Sequence, residues 1–230
     1  MKKELDKKYK KILYAIIEEY IESKNPVASE YLVNKKNLDC CSATVRNMML
    51  ELDEAGYLYQ PYTSAGRIPT NSAYRLYVDD LSHEQKLSKK IESKLEALLK
   101  ASKINDINQK SKFLAKIFAE ISKNAVLLCF SPHNYYITGF SNVLSQPEFY
   151  EVEKLKNLSL VFDNLESICE RLYGSVKETE ISIGVEGSFS ENLSSIKSRF
   201  SNGVIAIIGP ARMDYKQNLA LINYFKDKIK

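Results

Sequence analysis

The chain of 230 residues has no tryptophan, two histidines and four cysteines. His83 and His133 stand far apart, with no cysteine or carboxylate at ligand spacing, so a His-based metal site or a nucleophile–base triad has no support. Cys40 and Cys41 are adjacent, and with Cys129 and Cys169 they form no Cys-x-x-Cys pair. That excludes the usual zinc framework and a disulfide scaffold, and it points to a reducing compartment. The eight glycines include no Gly-x-Gly-x-x-Gly and no P-loop spacing; Gly184 and Gly187 fit neither. No apolar run approaches the ~18 residues of a membrane span. The longest, Ala125 to Phe130 and Val204 to Ile208, are strand-sized. Met1 to Lys8 is basic, but a mixed charged helix follows it in place of an apolar block, so it is not a secretory signal. These absences predict a cytoplasmic protein with no membrane span, no cofactor, no bound metal and no enzymatic activity. Glu148 and Glu186 are isolated carboxylates with no second acid or nucleophile placed near them.

An excess of positive charge is also missing. The formal net charge is +4, and residues 1 to 80 carry 12 Lys/Arg against 12 Asp/Glu. A strongly basic domain would be the cheap sign of nucleic-acid binding; any such function here rests on local geometry. The basic excess lies in residues 81 to 125, with 10 cations against 5 anions.

What is present is a clear order of elements. Ile12, Leu13, Ile16, Ile17, Tyr20 and Ile21 recur at helical spacing, which predicts an amphipathic first helix ended by Asn25-Pro26. A short second helix runs from Ser29 to Lys36. After a connector at Leu38-Asp39-Cys40-Cys41, Ser42 is the candidate N-cap of a third helix with Val45, Met48, Met49 and Leu52 on its buried face. Gly56 supplies the left-handed residue that closes it. Tyr57 to Gln60 reads as a strand. Pro61 to Gly66 reads as a loop with Gly66 at the turn, and Arg67-Ile68-Pro69 as the return strand. Thr70 or Asn71 caps a fourth helix. Residues 84 to 101 form a connecting helix with a seam of Leu87, Ile91, Leu95 and Leu98. Beyond residue 113, helices interleave with the strands 126–130, 135–140, 181–185 and 204–208, and a last helix spans 213–229. The fold class is therefore α+β. A winged helix-turn-helix over 1–82 is followed by a connecting helix and linker over 83–112 and a largely antiparallel α/β sandwich over 113–230.

The third helix is where chemistry concentrates. The N-terminal end of such a helix enters the major groove, where small polar donors are needed. Ser42, Thr44, Arg46 and Asn47 answer that description. Arg pairs bidentately with guanine and Asn with adenine, and Ser42 with the free amides of the helix start can hold a phosphate. The loop Thr63-Ser64-Ala65-Gly66-Arg67 is small and ends in one cation, suited to the backbone or to a narrow minor groove. At the far end of the chain, Arg212 and Asp214 after Gly209-Pro210 read as a strand-to-helix turn with a local charge pair. Cys129 reads as core. Tyr57, Tyr59, Tyr62, Tyr74 and Tyr77 read as packing the hairpin against the helices.

Eight segments make a family visible. Ser42-Ala43-Thr44-Val45-Arg46-Asn47-Met48-Met49, Gly56-Tyr57-Leu58, Gln60 to Thr70, and Tyr74 to Asp79 closely resemble the signature of the heat-inducible transcription repressor family HrcA. In the second half Thr138 to Leu144, Gln146-Pro147-Glu148-Phe149, Ile183 to Glu186 and Ile208 to Tyr215 match as well. The resemblance implies a repressor binding double-stranded DNA at CIRCE, an inverted repeat ahead of chaperone operons. It also implies a GAF-like second domain, a homodimer, and modulation by the GroE chaperonin, with the protein nucleoid-associated when bound. The DNA-binding set it implies is Ser42, Thr44, Arg46, Asn47, Tyr62, Thr63, Ser64, Gly66 and Arg67.

Two positions depart from the family: Tyr62 stands where His is usual and Ala73 where Gly is usual. Phe130 is also followed so soon by Thr138-Gly139 that the family's extra inserted segment, associated with dimerisation, has no room. A dimer then needs another surface, either the Leu87–Leu98 seam or the GAF-like sheet. The alternative function is a winged-helix regulator whose GAF-like domain senses a small ligand, which the apolar strands of the second half argue mildly against.

Overall fold

The computed structural model describes residues 5–36, 40–201 and 203–230. Leu38 and Asp39 of the expected connector lie outside the described residues. The chain divides into two compact units, Met1–Leu81 and Ser82–Lys230.

In the first unit α1 (Lys7–Ser23) is capped by Asp6, whose carboxylate accepts from the Lys8 amide. Its apolar stripe buries Ile12, Leu13, Ile16 and Ile17 completely or nearly so. Helices α2 (Ser29–Lys36) and α3 (Ser42–Glu54) follow. Val45, Met48, Met49 and Leu52 of α3 are buried as their spacing requires. Glu19 is also buried, at 1% exposure, and Lys35 Nζ of α2 sits 2.8 Å from it, compensating the carboxylate's lost hydration. A two-stranded antiparallel hairpin pairs β1 (Leu58–Tyr59) with β2 (Ile68–Pro69). Helix α4 (Asn71–Asp79) begins at Thr70, whose hydroxyl accepts from the Ala73 amide and donates to the Gly56 carbonyl at 2.8 Å. Tyr14 and Lys10 of α1 both reach Asp80, at 2.6 and 2.9 Å, so α1 is tied to the end of α4. These contacts hold the Asp80 carboxyl below the usual carboxylate range.

Two local expectations change. Cys41, not Ser42, occupies the extended cap position of α3. Ser42 is the first helical residue. Gly66 lies beyond the turn, which falls at Thr63-Ser64. It is glycine because the hairpin backbone runs against Val27, where a Cβ would stand 2.4 Å from the Val27 carbonyl carbon. Val27 and Arg67 exchange two backbone hydrogen bonds of 2.9 Å there, an isolated antiparallel bridge. Gly56 does take the left-handed conformation expected of it, at φ 77°.

The second unit is built on five antiparallel strands in the order β4-β3-β7-β6-β5. They are β3 (Ala125–Ser131), β4 (Asn134–Thr138), β5 (Glu180–Ser182), β6 (Ser194–Phe200) and β7 (Gly203–Gly209). Helices α8 (Val152–Asp163) and α9 (Leu165–Ser175) cover the face of the sheet that presents Leu127, Cys129, Val204 and Ala206. Helices α6 (Ile107–Ser122) and α10 (Tyr215–Lys228) lie on the other side, with Phe225 edge-on to both Phe118 and Phe200. The result is an α+β unit whose central strands are apolar on both faces. Cys129 is core, as its apolar strand implies, and its sulfur is 2.9 Å from that of Cys169 on α9.

The sequence reading has no strand at residues 194–200. Ser-Ser-Ile-Lys-Ser-Arg-Phe looks polar, yet every residue of it is buried except Arg199. Its place between β7 and β5 supplies the backbone partners that its composition does not advertise. The expected strand through Phe140 ends at Thr138 instead; Gly139, at φ 72°, turns the chain into the short helix α7 (Phe140–Leu144). Helix α5 (Lys89–Ser102) belongs to this unit, with Leu95 buried and Glu96 bridged to Lys228 of α10. Of the seam offered to a second copy, Leu95 is buried within the chain, whereas Leu87, which precedes the helix, Ile91 and Leu98 are half-buried.

Candidate nucleic-acid interface

The exposed side of α3 follows from its buried side. At 100° per residue, a face buried through Val45, Met48, Met49 and Leu52 leaves Ala43, Arg46, Asn47 and Leu50 pointing outward. All four are exposed, as is Ser42 at the helix start. Thr44 is half-buried, and its hydroxyl lies 3.2 Å from the Cys41 sulfur. That contact, with the backbone amides of the helix start, holds the exposed Cys41 thiol below its ordinary range.

The hairpin tip is assembled by Gln60. Its amide nitrogen donates to the carbonyls of Thr63, at 3.0 Å, and Ala65, at 2.8 Å, fixing the loop between the strands. Thr63 and Ser64 are exposed, and Tyr62 is 64% exposed. Of the five tyrosines expected to pack the hairpin while leaving one or two hydroxyls for phosphate, Tyr57, Tyr74 and Tyr77 are buried and Tyr59 and Tyr62 face outward.

Arg67 is only 12% exposed, and its Nε lies 2.8 Å from Asp53 Oδ2 near the end of α3. Together with the Val27 bridge, that ion pair clamps the hairpin beside the helix. Arg46, Thr63, Ser64, Gly66 and Arg67 therefore line one cleft of about 370 Å³, shared with Ala28 and Ser29 at the start of α2, Met49, Leu50 and Gln60. Ser42, Thr44, Asn47 and Tyr62 lie outside that cleft. Gln60, Ser29, Leu50 and Asp53 are the residues that sequence reasoning left out. Only the outward helical angle of Leu50 was legible; the rest depends on how the hairpin folds back.

The second-half motifs also come together. Arg212, 6% exposed, does not pair with Asp214. Its guanidinium grips Glu148 through Nε and through Nη2 to Oε2 at 2.9 Å, and Nη2 also donates to Gln146 Oε1 at 2.6 Å. Asp214 instead caps α10 by accepting from the Gln217 amide. So Gln146-Pro147-Glu148-Phe149 and the Gly209–Tyr215 segment are two halves of one buried contact.

A family model described as the HrcA protein C-terminal domain matches residues 73–218. The chain belongs to the HrcA family. A heat-inducible transcription repressor HrcA of Thermodesulfovibrio yellowstonii is 27% identical, over 96% of this chain and 96% of its own. That of Acetivibrio thermocellus is 35% identical over 84% of this chain and 53% of its own. The relatives carry the name of heat-inducible transcription repressors. The first alignment runs over 334 positions against 230 residues here, so at least 104 positions of that relative face no residue of this chain. This HrcA family member is thus a short form. A crystal structure of a hypothetical protein at 2.2 Å resolution is similar, with a TM-score of 0.74, 18% identity and 98% of each chain covered; at that identity it supports the fold alone. Among the described residues no helix is long and apolar enough to cross a membrane.

Proposed function

We propose that this chain is a heat-inducible transcription repressor that grips duplex DNA with a winged helix-turn-helix in residues 1–82. Residues 83–112 act as the connecting segment and 113–230 as a GAF-like domain. The observation that carries the reading is the shared cleft: the outward face of α3 and the hairpin tip are held side by side by the Arg67–Asp53 pair and the Val27 bridge. A helix laid in the major groove would present Ser42, Arg46 and Asn47 to base edges and phosphate. The strand leaving the groove would then pass through the cleft against Thr63, Ser64 and the Gly66 backbone, with Tyr62 at its rim. Thr44 would shape the helix start, and Arg67 would act from the hairpin that Asp53 fixes in place.

An inverted repeat such as CIRCE requires two reading helices related by a two-fold axis, so the proposal includes a homodimer. It also includes modulation by the GroE chaperonin and a cytoplasmic, nucleoid-associated location. The test is fluorescence anisotropy at near-physiological salt with a chaperone-operator inverted repeat and a scrambled duplex, each with and without chaperonin. Preference for the repeat by ~10³-fold or more, at two protomers per duplex, supports specific repression. Equal, weak, salt-sensitive binding to both duplexes in both conditions refutes it.

A second reading rests on a cleft of about 440 Å³ between α8, α9 and the 188–191 loop, lined by Asn157, Leu160, Asn164, Arg171, Phe189 and Glu191. A small ligand there would make the second domain a sensor. A metabolite screen by thermal shift on the full chain separates the two readings, because only a sensor gains stability from a small molecule.

A further inference from the structure

Before and after the two polar readers of α3, Arg46 and Asn47, stand two apolar side chains that the DNA-binding reading leaves idle. Ala43 is exposed, and Leu50 is 43% exposed at the rim of the cleft beside Arg46. They are seven residues apart, so they lie almost in line along the outward face, about 10.5 Å from each other at 1.5 Å per residue. Asn47 sits between them on the same face. Along a duplex that distance is about three base-pair steps of 3.4 Å. The major groove offers one apolar feature, the 5-methyl of thymine, and small or aliphatic side chains on a reading helix meet it.

We infer that Ala43 and Leu50 are specificity residues that each cover a thymine methyl, so that each half-site carries two thymines about three steps apart on either side of the bases read by Arg46 and Asn47. The inference rests on the proposed DNA-binding function. Polar side chains at 43 and 50 would leave those methyls in water, and cytosine, which lacks the methyl, would be tolerated equally. With Ala43 and Leu50 present, burying one methyl favours thymine by about four-fold.

The experiment replaces thymine by uracil, one position at a time, through both half-sites of a chaperone-operator inverted repeat, with anisotropy as the readout. Uracil keeps every hydrogen bond and removes only the methyl. The expected result is two sensitive positions per half-site, about three steps apart, each weakening binding by roughly four-fold per methyl. Leu50→Ala should erase the loss at one position and leave the other intact; Ala43→Ser should do the reverse. Leu50 is partly exposed, so its truncation leaves the fold in place, and circular dichroism confirms that before binding is read. If uracil changes nothing while the repeat is still preferred and Arg46→Ala still abolishes that preference, this inference is overturned and the DNA-binding reading stands. If uracil weakens binding equally in wild type and in Leu50→Ala, another group covers the methyl, and Leu50 loses its role. If wild type prefers no sequence at all, the function reading falls and takes this inference with it.

Discussion

Arg212 and Glu148, 64 residues apart, form a two-toothed ion pair inside the second unit, with Gln146 completing the hydrogen bonds of the guanidinium. Arg212 opens the turn into α10, and Glu148 sits in the short helical turn Pro147–Phe149. The pair therefore joins the turn before α10 to the short helical turn before α8. Glu148→Gln leaves a nearly buried cation without its counter-charge and should cost about 2–4 kcal/mol in urea denaturation of the full chain. Replacing both residues together, as Arg212→Met with Glu148→Leu, should recover a large part of that loss, because no lone charge is left inside. A double variant as unstable as Glu148→Gln alone would contradict this account.

Under the proposed function, in which Arg46 pairs with a base, Arg46→Ala should weaken operator binding by about 1–3 kcal/mol and flatten the difference between operator and scrambled duplex. A uniform loss across all duplexes would make Arg46 a phosphate contact.

The Arg67–Asp53 pair makes a different forecast. Asp53→Asn removes the clamp without removing the cation, so operator affinity should fall through misplacement of the wing, with the salt slope nearly unchanged. Arg67→Ala should lose the same affinity. A slope reduced by about one in Arg67→Ala but not in Asp53→Asn would show Arg67 touching a phosphate directly.

Gly66 and Gly56 should fail for different reasons. An added methyl at Gly66 meets the Val27 backbone at 2.4 Å, so Gly66→Ala must open the two-bond bridge that seats the hairpin. Gly56→Ala meets nothing within 4 Å and carries only the left-handed backbone penalty, about 1–2 kcal/mol. Operator binding should collapse in the first variant and survive in the second at temperatures where both remain folded.

Cys41 should be the most readily alkylated of Cys41, Cys129 and Cys169. Its thiol is exposed and held below the ordinary range by Thr44 and the start of α3, so its reaction with iodoacetamide should level off at a lower pH than a free thiol's. Cys129 and Cys169 are fully buried, and the Cys169 sulfur together with burial pushes the Cys129 thiol well up, so both should stay unmodified in the native protein. Peptide mass spectrometry reads this directly, and operator DNA should protect Cys41.

Much of the first unit was legible from its residues. Apolar positions at helical spacing locate α1 and α3, Pro26 and Gly56 end them, and Thr70 starts α4, because each signal acts over one or two turns of chain. The same local physics identifies the outward face of α3 and hence Arg46 and Asn47. Strand β6 was not legible: Ser195, Lys197 and Ser198 look solvent-facing until β5 and β7 pair with the strand and helices cover both faces of the sheet. The role of Gly66 was misread for a similar reason, since its constraint comes from Val27, 39 residues earlier.

The sequence by itself determined which stretches of the first unit are helical, which family the chain belongs to, and which side of α3 is free. Those follow from period, caps and motif order, which are properties of neighbours along the chain. Only the tertiary structure decided that Arg67 is committed to Asp53, that Gln60 shapes the hairpin tip, and that Arg212 answers Glu148 and not Asp214. Charge pairs and backbone contacts form between groups brought close in space, and the energy of burying them unpaired selects the partner, whatever its distance in sequence.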